Sequence, residues 1–253
     1  MPKFSFKNNK ISKRAFIIAF LSIFLVVCLI IANFLSLMLI KTEGQSENVS
    51  SNSFEIHMLT LASSQVEKEA ESLALDFQKI GAGGFIWKND NYYYVVSSAY
   101  VNKNDATLVQ NSVKANQGLD SQIISITFNS FAISGNFNSD EKKVLTKALN
   151  ACFDYYLSIY DIAISLDTAV YNEISARLAV NNAHNTLNNI VDDFNTIFEN
   201  NGADIINNLK EALNEMLKTS QELCGGIKVN DNQNYSSILK YRYLQVLNIY
   251  YNF

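Results

Sequence analysis

The sequence predicts an α+β protein in three parts: an apolar N-terminal segment, a unit of strands and helices in the order βαββαβ, and a C-terminal helical bundle. Residues 15–40 contain no charged side chain. Residues 54–128 contain two successive strand–helix–strand patterns, and residues 139–253 repeat apolar side chains at helical spacing over most of their length. The single proline is Pro2, so no proline interrupts any of these elements.

Residues 15–40 are predicted to form a transmembrane helix. The segment has 26 residues, and about 20 apolar residues span the hydrocarbon core of a bilayer. Residues 1–14 contain five basic residues and no acid, which predicts a cytoplasmic N-terminus and an extracytoplasmic C-terminus. A cleaved signal peptide is the alternative, but its apolar region is about 7–15 residues long and ends at a small-residue cleavage site. We therefore expect a single-pass anchor in the cell membrane.

The residues that follow the apolar segment are polar at first and carry a net negative charge. Residues 41–53 have neither periodicity nor apolar runs, which predicts a flexible linker. All 24 Asp and Glu, but only 15 of the 20 Lys and Arg, lie beyond residue 40, so this part carries a charge of about −9. A charge of this sign disfavours nucleic acid and anionic polymers as partners, whereas a neutral sugar remains compatible.

The first strand–helix–strand pattern runs from residue 54 to residue 87. It begins with the strand-like FEIHMLTLA, and Ser64 followed by Glu67 is the pattern of a helix capping box. Apolar residues then recur at helical spacing until the glycines of GAGG at 81–84. The strand FIW at 85–87 completes this half.

The second pattern begins with the aromatic strand YYYVVSSAY at 92–100 and ends with the strand QIISITF at 122–128. KNDN at 88–91 supplies hairpin residues before it, and Asn102 or Asn104 caps its helix. The order βαββαβ predicts a four-stranded antiparallel sheet beneath two helices. This is the split-βαβ, or ferredoxin-like, arrangement.

Two stretches of this unit resemble the SPOR (sporulation-related) domains, which bind septal peptidoglycan. In YYYVVSSAYVNKNDATLV the aromatic strand ends at Tyr100, and Ala106 follows six residues later; EAESLALDFQKIGAGGFI is the matching stretch of the first half. The resemblance covers about 75 of the 253 residues. The chain has His57 where the family often has Gln, and Ser98 where it has Gly.

The resemblance implies that glycan strands bind the face of the sheet opposite its two helices. Ile56, Met58 and Val95 would then point toward the helices. The glycan-binding residues implied are Glu55, His57, Trp87, Tyr94, Val96 and Ser98, with Leu59 beside them and Phe85 as the alternative to Trp87. Aromatic and polar side chains together suit a sugar, whose ring stacks while its hydroxyls take hydrogen bonds. The alternative is that the C-terminal bundle covers this face, which would make Tyr94 and Val96 ordinary core residues.

Residues 139–253 are predicted to form a bundle of four amphipathic helices after a loop-like junction, SFAISGNFNSDEK. The Asn-rich stretch VNNAHN interrupts the second helical pattern. A coiled-coil dimer is the alternative, but the heptad spacing is not sustained near Asn181 and Asn201. Cys152 and Cys224 lie near apolar stripes, and they are either buried thiols or a disulfide pair.

No pattern of catalytic, metal-binding or cofactor-binding residues is visible. The only histidines are His57 and His184, and neither has a neighbour at metal-ligand spacing. GAGG precedes a strand, whereas a phosphate-binding loop precedes a helix. We therefore expect no enzyme activity, no metal and no cofactor.

The function expected from the resemblance is that of a membrane-anchored peptidoglycan-binding protein of cell division or sporulation. The alternative is an extracytoplasmic scaffold without glycan binding, whose helical region recruits division or sporulation proteins. An anchored wall hydrolase ranks below both, since its pair of flanking carboxylates is not evident in the sequence.

Overall fold

The computed structural model describes residues 47–228, 231 and 233–253. The predicted cytoplasmic segment 1–14, the predicted transmembrane helix 15–40 and the start of the predicted linker lie outside these residues. In the part of the chain that is described, no helix is both long and apolar enough to cross a membrane.

Four strands form one sheet: β2 (Phe54–Ser64), β3 (Phe85–Asn89), β4 (Tyr92–Tyr100) and β5 (Gln122–Phe128). The sheet is antiparallel, and its strand order is β3–β4–β2–β5. Helix α1 (Glu67–Lys79) connects β2 to β3, and α2 (Lys103–Gln117) connects β4 to β5. Both helices pack on one face of the sheet. This confirms the α+β architecture, and the elements follow the predicted order βαββαβ with two helices on a four-stranded antiparallel sheet.

The pairing of β2 with β4 contains bulges. The register passes from Leu59 opposite Ser98 to Thr60 opposite Val96, so Ser97 is an extra residue of β4. A bulge breaks the alternation by which successive side chains point to opposite faces. Residues on the two sides of the bulge therefore cannot be assigned to a face by counting in twos.

Most local signals for helix ends are correct, and one is wrong. Asn102 caps α2 by accepting a hydrogen bond from the Asn104 backbone N–H at 2.8 Å. The capping box predicted from Ser64 and Glu67 does not form, because β2 continues to Ser64 and α1 begins only at Glu67. Instead, the Ser64 hydroxyl accepts from the Val66 N–H at 2.9 Å and donates to Glu69 at 2.8 Å.

A second, two-stranded sheet joins β1 (Glu47–Ser50) to β6 (Ala132–Gly135). The sequence predicted a flexible linker and a loop-like junction at these positions. Ser51, just after β1, makes two hydrogen bonds to Phe131, just before β6. The Ser51 N–H donates to the Phe131 carbonyl, and the Ser51 hydroxyl accepts from the Phe131 N–H, each at 2.8 Å. Strands of only four residues are too short to show a periodic signal of their own, and they form only through this long-range pairing.

Four helices follow: α3 (Ser139–Asp167), α4 (Glu173–Ile197), α5 (Asp204–Cys224) and α6 (Tyr235–Tyr251). Helix α4 is continuous through VNNAHN, where the sequence suggested an interruption. Each Asn costs less than about 0.7 kcal/mol relative to Ala in a helix. The Asn residues of this stretch lie between Val180 and Leu187, and the burial of these two apolar side chains outweighs that cost. Cys152 and Cys224 are both free thiols, and Cys152 is buried.

Residues 48–253 form one compact unit, so the sheet and the bundle share a core. The shared core consists of the side chains on the second face of the sheet and those of the helices that pack on it. The position of α6 on this face decides which of the predicted site residues are accessible.

Candidate functional site

The sheet face opposite α1 and α2 is covered by α6. Val96 is 0% exposed and Trp87 is 2% exposed. The Trp87 ring lies 5.2 Å from the Tyr251 ring, and the Phe85 ring lies 5.3 Å from the Tyr241 ring. The expectation of an open glycan-binding face is therefore wrong for this structure, and the alternative in which the bundle covers the sheet describes it.

The six predicted site residues do not share one face. Trp87 and Val96 belong to the core formed with the bundle, and half-buried Tyr94 packs against that core. Ser98 lies on the opposite face, where its hydroxyl donates to the Tyr100 hydroxyl at 2.8 Å. Because Tyr100 packs with Leu59 and with residues of α2, the bulge has turned Ser98 toward the helices.

The predicted orientation of β2 is also reversed. Ile56 and Met58, expected beneath α1 and α2, pack into the core shared with the bundle. Leu59, expected on the open face, packs beneath α2. Val95 packs against α1 as expected. The alternation of side chains along β2 correctly placed neighbouring residues on opposite faces of the sheet. It could not tell which of the two faces carries α1 and α2.

His57 and Glu55 lie on the side of the sheet that carries α1 and α2, and His57 contacts Ser125 of β5. The His57 Nδ1 atom is 2.8 Å from the Ser125 hydroxyl, and its Nε2 atom is 4.0 Å from the Glu55 carboxylate. Nucleophilic catalysis would also require oxyanion donors and a substrate cleft beside the imidazole. We interpret the contacts as cross-strand hydrogen bonding that orients the imidazole. Within the described chain, no three His, Cys, Asp or Glu side chains come together as a metal site would require.

The bundle also completes the hydrogen bonding of β4. In the described chain β3 pairs with β4 only as far as Val96, which leaves the last residues of β4 without a neighbouring strand on that side. The Ala99 N–H donates to the Tyr243 hydroxyl at 3.1 Å, and the Tyr156 hydroxyl donates to the Ala99 carbonyl at 3.0 Å. Burial raises the pKa of both tyrosines well above the usual value, and Tyr156 therefore keeps the proton that it donates to the Ala99 carbonyl.

The glycine cluster is where α6 docks. The Ser237 hydroxyl donates to the Ala82 carbonyl, and the Lys240 ammonium donates to the Gly81 carbonyl at 3.1 Å. A Cβ atom at Gly83 would lie 2.9 Å from the Ser97 carbonyl oxygen and 3.1 Å from Lys240. Only a glycine at this position lets the turn approach both β4 and α6 so closely.

Beside the covered face, a cleft of about 190 Å³ opens where β5 and α6 end. Its lining includes Thr127, Phe128, Asn129, Phe131, Tyr251 and Phe253. Tyr251 is 44% exposed, and Thr127 and Asn129 are also exposed. A neighbouring cleft of about 400 Å³, between α5 and the end of α6, shares Phe253 with it. We call the pair the aromatic cleft.

Sequence reasoning missed the aromatic cleft, because its two walls are more than a hundred residues apart in the chain. A signal was nevertheless present. FNSF at 128–131 and YYNF at 250–253 both combine aromatic residues with Asn, a composition typical of sugar-binding surfaces. Neither segment could be linked to the other before the fold was known.

Comparison with known proteins gives one structural similarity. No family model matches the chain, and no curated protein matches it. The chain is similar to the solution structure of the peptidoglycan binding domain of the B. subtilis cell wall lytic enzyme CwlC, at 24% identity and a TM-score of 0.26. The match covers 30% of this chain and 94% of that domain. A TM-score of this size does not establish a shared fold.

Proposed function

We propose that this chain is a membrane-anchored protein that binds the glycan of the bacterial cell wall. The observation that carries the proposal is the antiparallel strand order β3–β4–β2–β5, with α1 and α2 on one face, in the same residues 54–128 whose sequence resembles SPOR domains. Residues 15–40 supply the anchor, and residues 41–253 lie outside the cytoplasm. Cell division or sporulation is the process in which such a protein would act.

The proposed activity is binding without catalysis. The negative charge beyond residue 40 opposes binding to anionic wall polymers, so the favoured ligand is the sugar backbone. Because α6 buries the face used in the resembling family, the site in this chain must lie on another surface. A membrane-anchored binding protein needs no more than one exposed sugar-binding surface to be held at the wall.

Sedimentation with isolated sacculi tests this proposal. The full chain in detergent is expected to sediment with sacculi, and to do so more strongly after an amidase has removed the stem peptides. Sacculi digested with a muramidase are the control, because they lack long glycan strands. A chain that stays in the supernatant with both intact and amidase-treated sacculi would rule out wall binding. Release of soluble wall fragments by the chain alone would instead reveal an enzyme.

A second candidate function is an extracytoplasmic scaffold, and an exposed apolar cluster at the start of α4 favours it. Val170 of the turn before α4 and Ile174 and Leu178 of its first two turns are 73%, 72% and 62% exposed. Clusters of exposed apolar side chains mark interaction sites. A photo-crosslinker placed at position 174 in the producing cell would attach to a protein partner if this cluster recruits one, whereas a crosslinker at exposed Asn189 would not. Crosslinking at 174 without any retention on sacculi would favour the scaffold.

A further inference from the structure

We infer that the aromatic cleft is the glycan-binding site of this protein, and that it takes neutral N-acetylated amino sugars. This inference rests on the proposed function and differs from it in naming the surface and the ligand. The site lies at the end of β5 and the last turn of α6, whereas the resemblance implied the middle of the sheet.

The rings of Tyr251 and Phe253 in the cleft pack against other aromatic residues, which hold them in place. Tyr251 packs 5.2 Å from buried Trp87 and 6.0 Å from buried Phe128. Phe253 meets Phe131 edge to face at 5.1 Å. Each supporting residue belongs to a different segment of the chain, namely β3, β5 and the loop after β5, so the rings do not need to be ordered when a ligand binds. A wall of this kind offers stacking surface at little entropic cost.

The polar groups at the rim suit an acetamido sugar. Thr127 and Asn129 line the smaller part at the end of β5, and Asn252 lines the larger part at the end of α6. Hydroxyl and carboxamide side chains both donate and accept hydrogen bonds, as the hydroxyls and the amide of such a sugar require. The acetyl methyl group can meanwhile lie against an aromatic ring.

The charge of the cleft excludes an anionic ligand. Glu211 and Glu215 line the larger part, and the described lining residues of both parts include neither Lys nor Arg. A phosphate or carboxylate polymer would meet repulsion without a compensating cation. The ligand is therefore the uncharged N-acetylglucosamine unit of the glycan, and the cleft selects it over units that carry a free acid.

The size of the cleft fits more than one sugar ring. Its two parts measure about 190 and 400 Å³, and Phe253 lines both of them. The larger part alone falls in the range of roughly 300–1,000 Å³ that is usual for small-molecule sites. A short oligosaccharide can therefore serve as the probe.

The experiment titrates the full chain, in detergent, with tri-N-acetylchitotriose. The chain contains a single tryptophan, Trp87, which lies directly behind Tyr251, so its fluorescence reports on the cleft. Tyr251→Ala and Asn129→Ala are each expected to weaken binding at least fivefold by calorimetry. Asn129 is exposed, so its variant keeps the test valid if Tyr251→Ala unfolds. Tyr92→Ala removes a tyrosine of similar exposure, 41%, outside the cleft and should leave binding unchanged.

The outcomes separate this inference from the proposed function. Binding of wild type to sacculi, combined with unchanged binding by both cleft variants, would overturn the cleft and leave wall binding in place. Binding to sacculi without binding to the trisaccharide would overturn the assigned ligand. A wild-type chain that binds neither would overturn both the inference and the proposed function.

Discussion

The hydroxyls of Tyr156 and Tyr243 make the hydrogen bonds to the Ala99 backbone that a neighbouring strand would otherwise make. The Tyr243 hydroxyl accepts the Ala99 N–H, and replacing Tyr243 with Phe would leave this buried donor unpaired while keeping the ring. We expect the free energy of unfolding to fall by about 1–2 kcal/mol, measured by urea denaturation. Tyr160→Phe is a suitable control, because this half-buried ring packs against Tyr243 and its hydroxyl makes no comparable bond to the sheet. Equal effects of the two variants would mean that Ala99 finds another acceptor.

A second prediction concerns the start of α3. The Asn138 side chain accepts the N–H groups of Asp140 and Glu141 at 2.9 and 3.0 Å, and the Glu141 carboxylate accepts the Asn138 N–H at 2.7 Å. Asn138→Ala removes one half of this capping box and should cost about 1 kcal/mol of stability in thermal or urea unfolding. Asn189→Ala, on the exposed side of α4, should have no destabilising effect, since Ala is the better helix former. An Asn138→Ala variant of unchanged stability would show that the cap does not stabilise α3.

At the scale of elements, β4 is predicted to be intolerant of charge on both of its faces. Val95 packs against α1 and Val96 against the bundle, and both are fully buried. Val95→Asp and Val96→Asp should each prevent folding, because each buries an unpaired carboxylate. Circular dichroism and limited proteolysis would detect the loss, with Ser63→Asp on exposed β2 surface as the control. A folded Val96→Asp protein would mean that the sheet face is open in solution.

At the scale of the whole molecule, the aromatic core makes stability depend on pH in the alkaline range. Burial is the main cause that raises the pKa of Tyr160 and Tyr235 to about 12, against 10 in the unfolded chain, and it also raises the pKa of Tyr243 well above its usual value. Above pH 10 the unfolded chain loses these protons while the folded chain keeps them. Stability is therefore fully present below pH 10 and decreases as the pH rises toward 12.

Urea unfolding between pH 8 and pH 12, with tyrosinate absorbance recorded in parallel, would measure this dependence. Tyr235→Phe should reduce the slope, because it removes one of the groups that titrate differently in the two states. A midpoint that does not change across this range would contradict the burial of these hydroxyls.

The sequence alone determined the identity of most elements. Apolar spacing located the strands β2 to β5 and the helices, and Asn102 marked the start of α2 correctly, because these signals depend on residues within one or two turns of each other. The same locality explains two errors. Ser64 has the right spacing from Glu67 for a capping box, but pairing with β4 extends β2 through Ser64. The Asn-rich stretch of α4 looks like a break, but packing keeps it helical.

Only the tertiary structure decided what covers each face of the sheet. The sequence pattern shows that Leu59 and Val96 are apolar strand residues. It does not show that α2 buries the first and α6 the second. The extra residue Ser97 then places Val96 and Ser98 on opposite faces, which no count along the strand reveals. The two walls of the aromatic cleft belong to segments more than a hundred residues apart, so the sequence does not show that they meet. Likewise, β1 and β6 are segments with little local signal. They acquire structure only from partners that are distant in the chain, so their assignment requires the folded molecule.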